Sequence, residues 1–282
     1  MGDGPSTGFL NAVRPPIVVP NGVRDLDSAL RRSPEARRRQ AAYHPRMVAG
    51  QGGGGRVAAA IPAYQAAPSV GAVVAATLAV LPDVLVVDDG STDGTGAAAE
   101  GAGARVVRHA ENRGKGRALA TAFEDLFARG FEAVVTLDAD GQHLGGEIPK
   151  LLAAWRGGAE LVVGSRARLF GQMHVVRSVA NALSSRLLSL AAGRRLPDAQ
   201  SGFRLYTRTL VGRTGFPESG FEAESAVLIR AARGGARLAW PEIELGFADG
   251  RLTSHYRPVA DSLRIAVAAV RARFSPPAAA AP

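Results

Sequence analysis

Two apolar runs of this 282-residue chain end abruptly in carboxylates. Val86-Val87 leads into Asp88-Asp89-Gly90-Ser91-Thr92-Asp93-Gly94-Thr95, and Thr136-Leu137 leads into Asp138-Ala139-Asp140-Gly141-Gln142-His143. Adjacent carboxylates at a strand end repel each other, a cost that is tolerable when a cation or a ligand's hydrogen-bond donors meet them; a nucleobase and a ribose carry such donors. The same first run also reads as an Asp-rich turn in which Asp93 caps the next helix. In the second run, side chains two apart in an extended segment point the same way, so Asp138 and Asp140 can converge on one cation. Gln142 shares that parity and offers another oxygen. Oxygen ligands favour magnesium, manganese or calcium. Such an ion bridging a diphosphate would offset the charge of a departing nucleotide. An acidic surface loop is the plainer alternative, although it fits poorly behind a fully apolar strand. A third segment, Asn112-Arg113-Gly114-Lys115-Gly116-Arg117, leads into a helix, and its backbone N–H groups and basic side chains could face phosphate. It lacks the order of a P-loop, and Gly101-Ala102-Gly103 precedes a strand instead of following one, so no dinucleotide fingerprint is present.

These segments need a scaffold, and the pattern between them supplies one. Apolar runs of strand length at Val57–Ile61, Val84–Val87, Arg105–Val107, Ala133–Leu137 and Leu161–Val163 alternate with segments whose apolar residues recur three and four apart, Val70–Leu81, Ala118–Arg129 and Glu147–Trp155. That alternation predicts an α/β fold with a mostly parallel sheet and flanking helices. Pro62, Gly90 and Gly164 follow strands, which turns the chain at the carboxyl ends of the sheet, where open α/β folds form their ligand crevice. Past Arg166 the rhythm changes. An amphipathic stretch runs from His174 to Ala192, a strand is expected over Gly202–Thr207, a helix over Glu222–Arg233, two strands across Arg237–Phe247, and a last helix over Val259–Arg273.

Composition narrows the setting. The chain has no cysteine, which excludes disulfides and thiolate metal sites. Residues 1–55 mix Pro, Gly and Arg, close on four glycines, and read as a disordered basic extension with a linker; 56–275 form the catalytic domain, and 276–282 a Pro/Ala tail. Within the extension, Ala29–Arg39 is either a short basic helix touching anionic lipid or a protein, or a solvated tail. More than half of the formal +9 charge lies in residues 1–56, so the remainder is only mildly basic and is not expected to bind nucleic acid. No segment has the length and apolarity of a membrane span, and the expected location is cytoplasmic, at most at the inner face of a membrane.

Together, Ile61-Pro62-Ala63-Tyr64, the Asp88–Thr95 run, Asn112–Gly116, Asp138–His143, Gly164-Ser165-Arg166 and Ser201-Gly202-Phe203-Arg204 stand in the order found in family 2 glycosyltransferases. From about Arg56 to Ile265 the chain resembles that family, and within it most the polyprenyl-phosphate sugar synthases. The resemblance implies a GT-A fold, inversion at the anomeric carbon, and a nucleotide-sugar donor held by Pro62, Ala63, Tyr64, Asp88, Asp89, Lys115, Asp138 and Arg166. It implies Mg²⁺ or Mn²⁺ on Asp138, Asp140 and Gln142, with Asp140 catalytic, and assigns Gly202, Phe203 and Arg204 to the acceptor region. Two departures stand out. Relatives often carry Asn-Glu after the first-loop Tyr, where this chain has Gln65-Ala66, and they follow a late Arg with Ser-Lys, where this chain has Arg251 followed by Ser254-His255. Arg251, Ser254 and His255 remain suited to phosphate, with His neutral where Lys would be charged; a solvated loop is the alternative.

Two acceptors fit this resemblance. Polyprenyl phosphate is already an anion, whereas an alcohol of a saccharide or small molecule needs a general base, for which Glu222 or Glu224 stands ready. Those two glutamates also suit a helix start. A lipid acceptor would agree with the His174–Ala192 stretch lying in a membrane interface, although a core-facing helix has the same spacing. A catalytically silent binding module is the third possibility, against which the intact carboxylate set argues.

Overall fold

The structure is a computed structural model that describes residues 55–166, 185–245, 267–268 and 270–274. The basic extension, most of the His174–Ala192 stretch, the Arg251–His255 loop and the Pro/Ala tail lie outside the described residues. The catalytic half opens with β1 (Val57–Ala63), α1 (Ala67–Leu78), β2 (Val84–Asp88), α2 (Thr95–Gly101), β3 (Arg105–Arg108), α3 (Lys115–Ala128) and β4 (Ala133–Thr136). A single 3-10 turn at Gly145–Glu147 leads into α4 (Ile148–Arg156) and β5 (Leu161–Val163). Residues 185–192 are helical, and then follow β6 (Arg204–Thr207), α5 (Arg208–Thr214), α6 (Glu222–Arg233) and β7 (Leu238–Ala239).

The strands form a seven-stranded sheet in the order β3-β2-β1-β4-β6-β5-β7. Parity divides the apolar strand residues between two cores. Ala58, Ala60, Leu85, Val87 and Val134 face α3 and α6, while Ala59, Ile61, Val84, Val86, Ala133 and Val135 face α1 and α4. Burial on both faces explains why these strands are continuous apolar runs and do not alternate with polar residues. Phe123 of α3 anchors one core, edge-on to Tyr206 at 5.2 Å and to Phe216 at 5.1 Å.

The mostly parallel sheet is as expected, with two differences of detail. β6 runs antiparallel between β4 and β5, so the predicted Gly202–Thr207 strand enters the middle of the sheet and does not start a separate layer. Of the two strands expected across Arg237–Phe247, the described residues, up to Leu245, show Leu238–Ala239 and two isolated bridges, Ser165 with Glu242 and His143 with Leu245. Pro241 is the reason at the first break, since it has no N–H to continue a ladder; its carbonyl still accepts from Ser165 N at 2.8 Å.

The first turn of α3 lies against the loop that leads into α6. A Cβ on Gly116 would stand 2.3 Å from the Glu218 carbonyl oxygen and 2.8 Å from Ala223 Cβ, so only glycine allows this approach. Arg117 N donates to the Ser219 carbonyl at 3.2 Å across the same junction. Gly116→Ala is therefore expected to destabilise the fold by about 1–3 kcal/mol through overpacking. Gly212→Ala in α5, where the new Cβ meets nothing within 4 Å, should instead be neutral or stabilise by up to about 1 kcal/mol. Urea unfolding of the two variants beside the parent checks both signs.

Candidate active site

All four aspartates sit at the carboxyl ends of neighbouring strands. Asp88 is the last residue of β2, opposite Ala63 of β1, and Asp138 and Asp140 follow β4 on the other side of β1. Pro62 and Ala63 close β1, and Tyr64 begins the loop beyond it. That loop is laced to the Ser91–Thr95 turn. Gln65 N donates to Ser91 Oγ at 2.9 Å, Ala66 N to Thr95 Oγ1 at 2.7 Å and Ala67 N to Asp93 Oδ2 at 3.0 Å. Gln65 has a φ of 50°, unusual for a residue with a side chain, and its amide both donates to Thr92 Oγ1 and accepts from Thr92 N. Asp93 thus stitches two loops together; Gly94, without a side-chain bond, occupies the cap of α2.

Asp88 accepts from Ser91 N at 3.0 Å and has Arg108 Nε at 3.7 Å. Asp89 differs from expectation. Its carboxylate, buried, accepts from Arg113 N at 3.0 Å and Gly114 N at 2.7 Å, with His109 Nδ1 at 2.6 Å. The N–H groups of Arg113 and Gly114, in the loop expected to face a phosphate, therefore meet a carboxylate of this chain, and three contacts from the protein hold Asp89 in place. His109, whose Nε2 lies 3.0 Å from Thr121 Oγ1, is a supporting residue that a lone histidine behind β3 does not announce.

Lys115 extends from this loop into the centre of the site. Its Nζ stands 2.6 Å from Asp138 Oδ1 and 2.7 Å from Glu224 Oε2, with only 13% of its side chain exposed. Burial alone would depress the ammonium, but the two carboxylates outweigh it and hold Lys115 above the usual lysine range. For Asp138, burial would raise the carboxyl, and the Lys115 charge, with His143 and Arg166 beyond it, instead holds it at about 2. Asp138 is thus an anion at neutral pH. Asp140 accepts from Gln142 N at 3.0 Å, which keeps the turn tight. His143 is buried against the Phe203 ring, 5.4 Å between centroids, and its Nδ1 accepts from Asp138 N at 3.4 Å; burial pushes its pKa down and favours the neutral ring. Two carboxylates and the Gln142 amide make an all-oxygen donor set that suits a hard divalent cation, and a cation of this chain already stands against Asp138. Among the described residues, no three His, Asp or Glu side chains converge into a preformed cage.

The acceptor-side expectations need correction. Arg204 is fully buried, and its guanidinium donates to the carbonyls of Ser201 at 2.6 Å, Glu224 at 2.7 Å and Ala199 at 2.9 Å. Those donors are spent on backbone, so Arg204 braces the site and does not grip a phosphate. Phe203 is likewise a core residue, sealed under His143. Gly202 keeps a site role of another kind: a Cβ there would lie 2.5 Å from Asp138 Oδ2, so any side chain would push that carboxylate out of its present position. Glu224 is buried, with Arg204 Nε 3.8 Å from Oε1, an oxygen that has no hydrogen-bond partner. Glu222 Oε1 accepts from Gly220 N at 3.1 Å. Arg166 is held by Asp198 through two side-chain bonds of 2.9 and 3.0 Å and a third from its own N–H. Asp198, completely buried, is a site residue the sequence reading missed; its one signal is an acid three residues before Ser201-Gly202-Phe203-Arg204, in a loop where a charge needs a partner. Arg251, Ser254 and His255 lie outside the described residues.

Comparison with known proteins places the fold and the family. The profile described as glycosyl transferase family 2 matches residues 59–215. The chain is 33% identical over 181 residues to an undecaprenyl-phosphate mannosyltransferase of Micrococcus luteus, covering 60% of this chain and 73% of that protein. To a polyprenol monophosphomannose synthase of Mycolicibacterium smegmatis it is 34% identical over 141 residues, 45% of this chain and 52% of that one, so the chain spans about half the length of this relative. Among solved structures, the fold is similar to glucosyl-3-phosphoglycerate synthase of Mycobacterium tuberculosis, crystallised with Mn²⁺, uridine diphosphate and phosphoglyceric acid. The TM-score is 0.64 at 20% identity, over 79% of this chain and 80% of that one. A GT-A-type sheet with its carboxylates at the strand ends, matched by the family profile over more than half the chain, makes this protein a member of glycosyl transferase family 2.

Proposed function

We propose that this glycosyltransferase moves a sugar from a nucleotide-sugar to polyprenyl phosphate with inversion at the anomeric carbon. The observation that carries the choice of acceptor is the engagement of both candidate bases. Glu224 faces Lys115 at 2.7 Å, and Glu222 accepts from the backbone of its own helix start. A phosphate oxygen attacks without losing a proton, so a site whose glutamates each have one oxygen engaged by the protein suits it better than an alcohol. The names of the Micrococcus and Mycolicibacterium relatives, both polyprenyl-phosphate enzymes, support the same reading. An alcohol acceptor is the second reading, favoured by the unpartnered Glu222 Oε2.

In this proposal Pro62, Ala63, Tyr64 and Asp88 cradle the nucleoside, and Lys115 and Arg166 face the diphosphate. Asp138, Asp140 and Gln142 hold Mg²⁺ or Mn²⁺, which when bound supplies Lewis-acid stabilisation of the leaving diphosphate. Asp198 keeps the Arg166 fork aimed, and Gly202 leaves Asp138 room to turn. Arg251, Ser254 and His255 take the acceptor phosphate.

A lipid acceptor calls for contact with a bilayer at its inner face. Leu190 is 74% and Phe274 79% exposed, beside the exposed Leu187, Val267 and Val270. Arg273 ties the two segments by donating to the Ala191 carbonyl at 3.1 Å. Arg186, Arg194 and Arg195 lie in the same stretch, a pairing of apolar and cationic side chains that suits an anionic lipid surface. No described helix is long and apolar enough to cross a membrane.

Three outcomes test the proposal. Asp140→Ala should remain folded by circular dichroism and lose at least about a hundredfold in nucleoside-diphosphate release with lipid phosphate present, as loss of an electrostatic stabiliser of the leaving group predicts; retained metal-dependent turnover would remove Asp140 from the metal site. Glu222→Gln should keep substantial turnover with polyprenyl phosphate, and a dead variant that still binds donor would favour the alcohol reading. Leu190→Ser with Phe274→Ser should weaken co-sedimentation with phosphatidylglycerol vesicles, leaving turnover of a short, water-dispersed lipid phosphate unchanged.

A further inference from the structure

We infer that Lys115 makes cation binding at Asp138 conditional on the donor: its ammonium guards Asp138 until a diphosphate draws it off. The inference rests on the reading that Asp138 and Asp140 hold the divalent ion. Its geometry is independent of that reading. One ammonium stands 2.6 Å from Asp138 and 2.7 Å from Glu224, and Arg204 backs Glu224 at 3.8 Å. Asp138, Lys115, Glu224 and Arg204 therefore sum to no net charge. Asp140 adds one negative charge, and Arg166 and Asp198 cancel.

A divalent ion alone would drive this cluster to net positive while competing with Lys115 for the same carboxylate oxygen, and charge imbalance is costly beside Glu224 and Arg204, which are buried. A diphosphate arriving with the ion returns the cluster to its former charge and gives Lys115 new acceptors. The exchange has an acceptor at hand: Glu224 Oε1 is buried without a hydrogen-bond partner, so an ammonium leaving Asp138 finds a second oxygen on the carboxylate it already holds. Ion and nucleotide then bind cooperatively, each raising the affinity of the other by the same factor.

The test is Mn²⁺ binding, read from the paramagnetic resonance signal of free Mn²⁺, alone and with UDP or GDP. In Lys115→Met the affinity for Mn²⁺ alone should rise about tenfold or more, in line with removal of a close buried counter-charge, and the enhancement by nucleotide should shrink. In Glu224→Gln the ammonium belongs to Asp138 alone, so the affinity for Mn²⁺ alone should fall. Opposite shifts support the guard, whereas a purely structural lysine would move both variants the same way through loss of fold, which thermal melts would reveal. If Lys115→Met does not fold, the Glu224→Gln result decides. Unchanged Mn²⁺ affinity in the folded variants would overturn the guard and leave the metal site standing. Wild-type protein that binds no Mn²⁺ even with nucleotide would overturn the metal reading, and the guard with it.

Discussion

The Lys115 ammonium between Asp138 and Glu224 joins the two halves of the site, and much of the surrounding structure serves to hold it there. Asp138 belongs to the end of β4, Glu224 to the first turn of α6, and Lys115 to the first residue of α3. Three elements distant in sequence must therefore meet within hydrogen-bond length. Glycine at 116 lets α3 and the α6 approach touch backbone to backbone, and glycine at 202 lets β6 press against the Asp138 carboxylate. A longer residue at 116 would force those backbones apart, and one at 202 would displace the Asp138 carboxylate.

Buried charge elsewhere in the molecule is satisfied by the same economy. Arg204 gives its guanidinium to three carbonyls, Arg166 shares two bonds with Asp198, and Asp89 takes two backbone N–H groups of a turn. Each arrangement fixes a loop at the carboxyl end of the sheet. Charged groups far from water hold position because leaving a partner behind is expensive. The reacting groups thus sit on a braced floor, while the surface that would meet lipid in the proposal is built from the exposed Leu187, Leu190, Val267, Val270 and Phe274 and the arginines near them.

Much of this was legible in the residues. Apolar runs of strand length gave β1, β2, β4 and β5, because strands buried on both faces leave an unmistakable trace, while the edge strand β3 showed only as a short valine pair between arginines; the spacing of Asp138 and Asp140 put both behind one strand. Other features were not. Nothing local says that Arg204–Thr207 runs antiparallel between β4 and β5, since pairing partners are chosen by the whole sheet. A glycine-rich turn before a helix has the same pattern whether its N–H groups meet a phosphate or Asp89. Likewise Arg204 looks like any arginine in a motif until three carbonyls are found around it, and Asp198 is silent without Arg166. Sequence spacing locates side chains along the chain; what each is satisfied by is decided by elements far away.

Gln65 has a consequence for how this loop can vary. A residue with a φ of 50° is more comfortable as asparagine or glycine, and glutamine stays there by exchanging two hydrogen bonds with Thr92. The conformational cost sits at one position and its compensation 27 residues away. The two sites therefore form one heritable unit: a chain that lost the threonine would come under pressure to replace the glutamine, and the pair would drift together through a lineage.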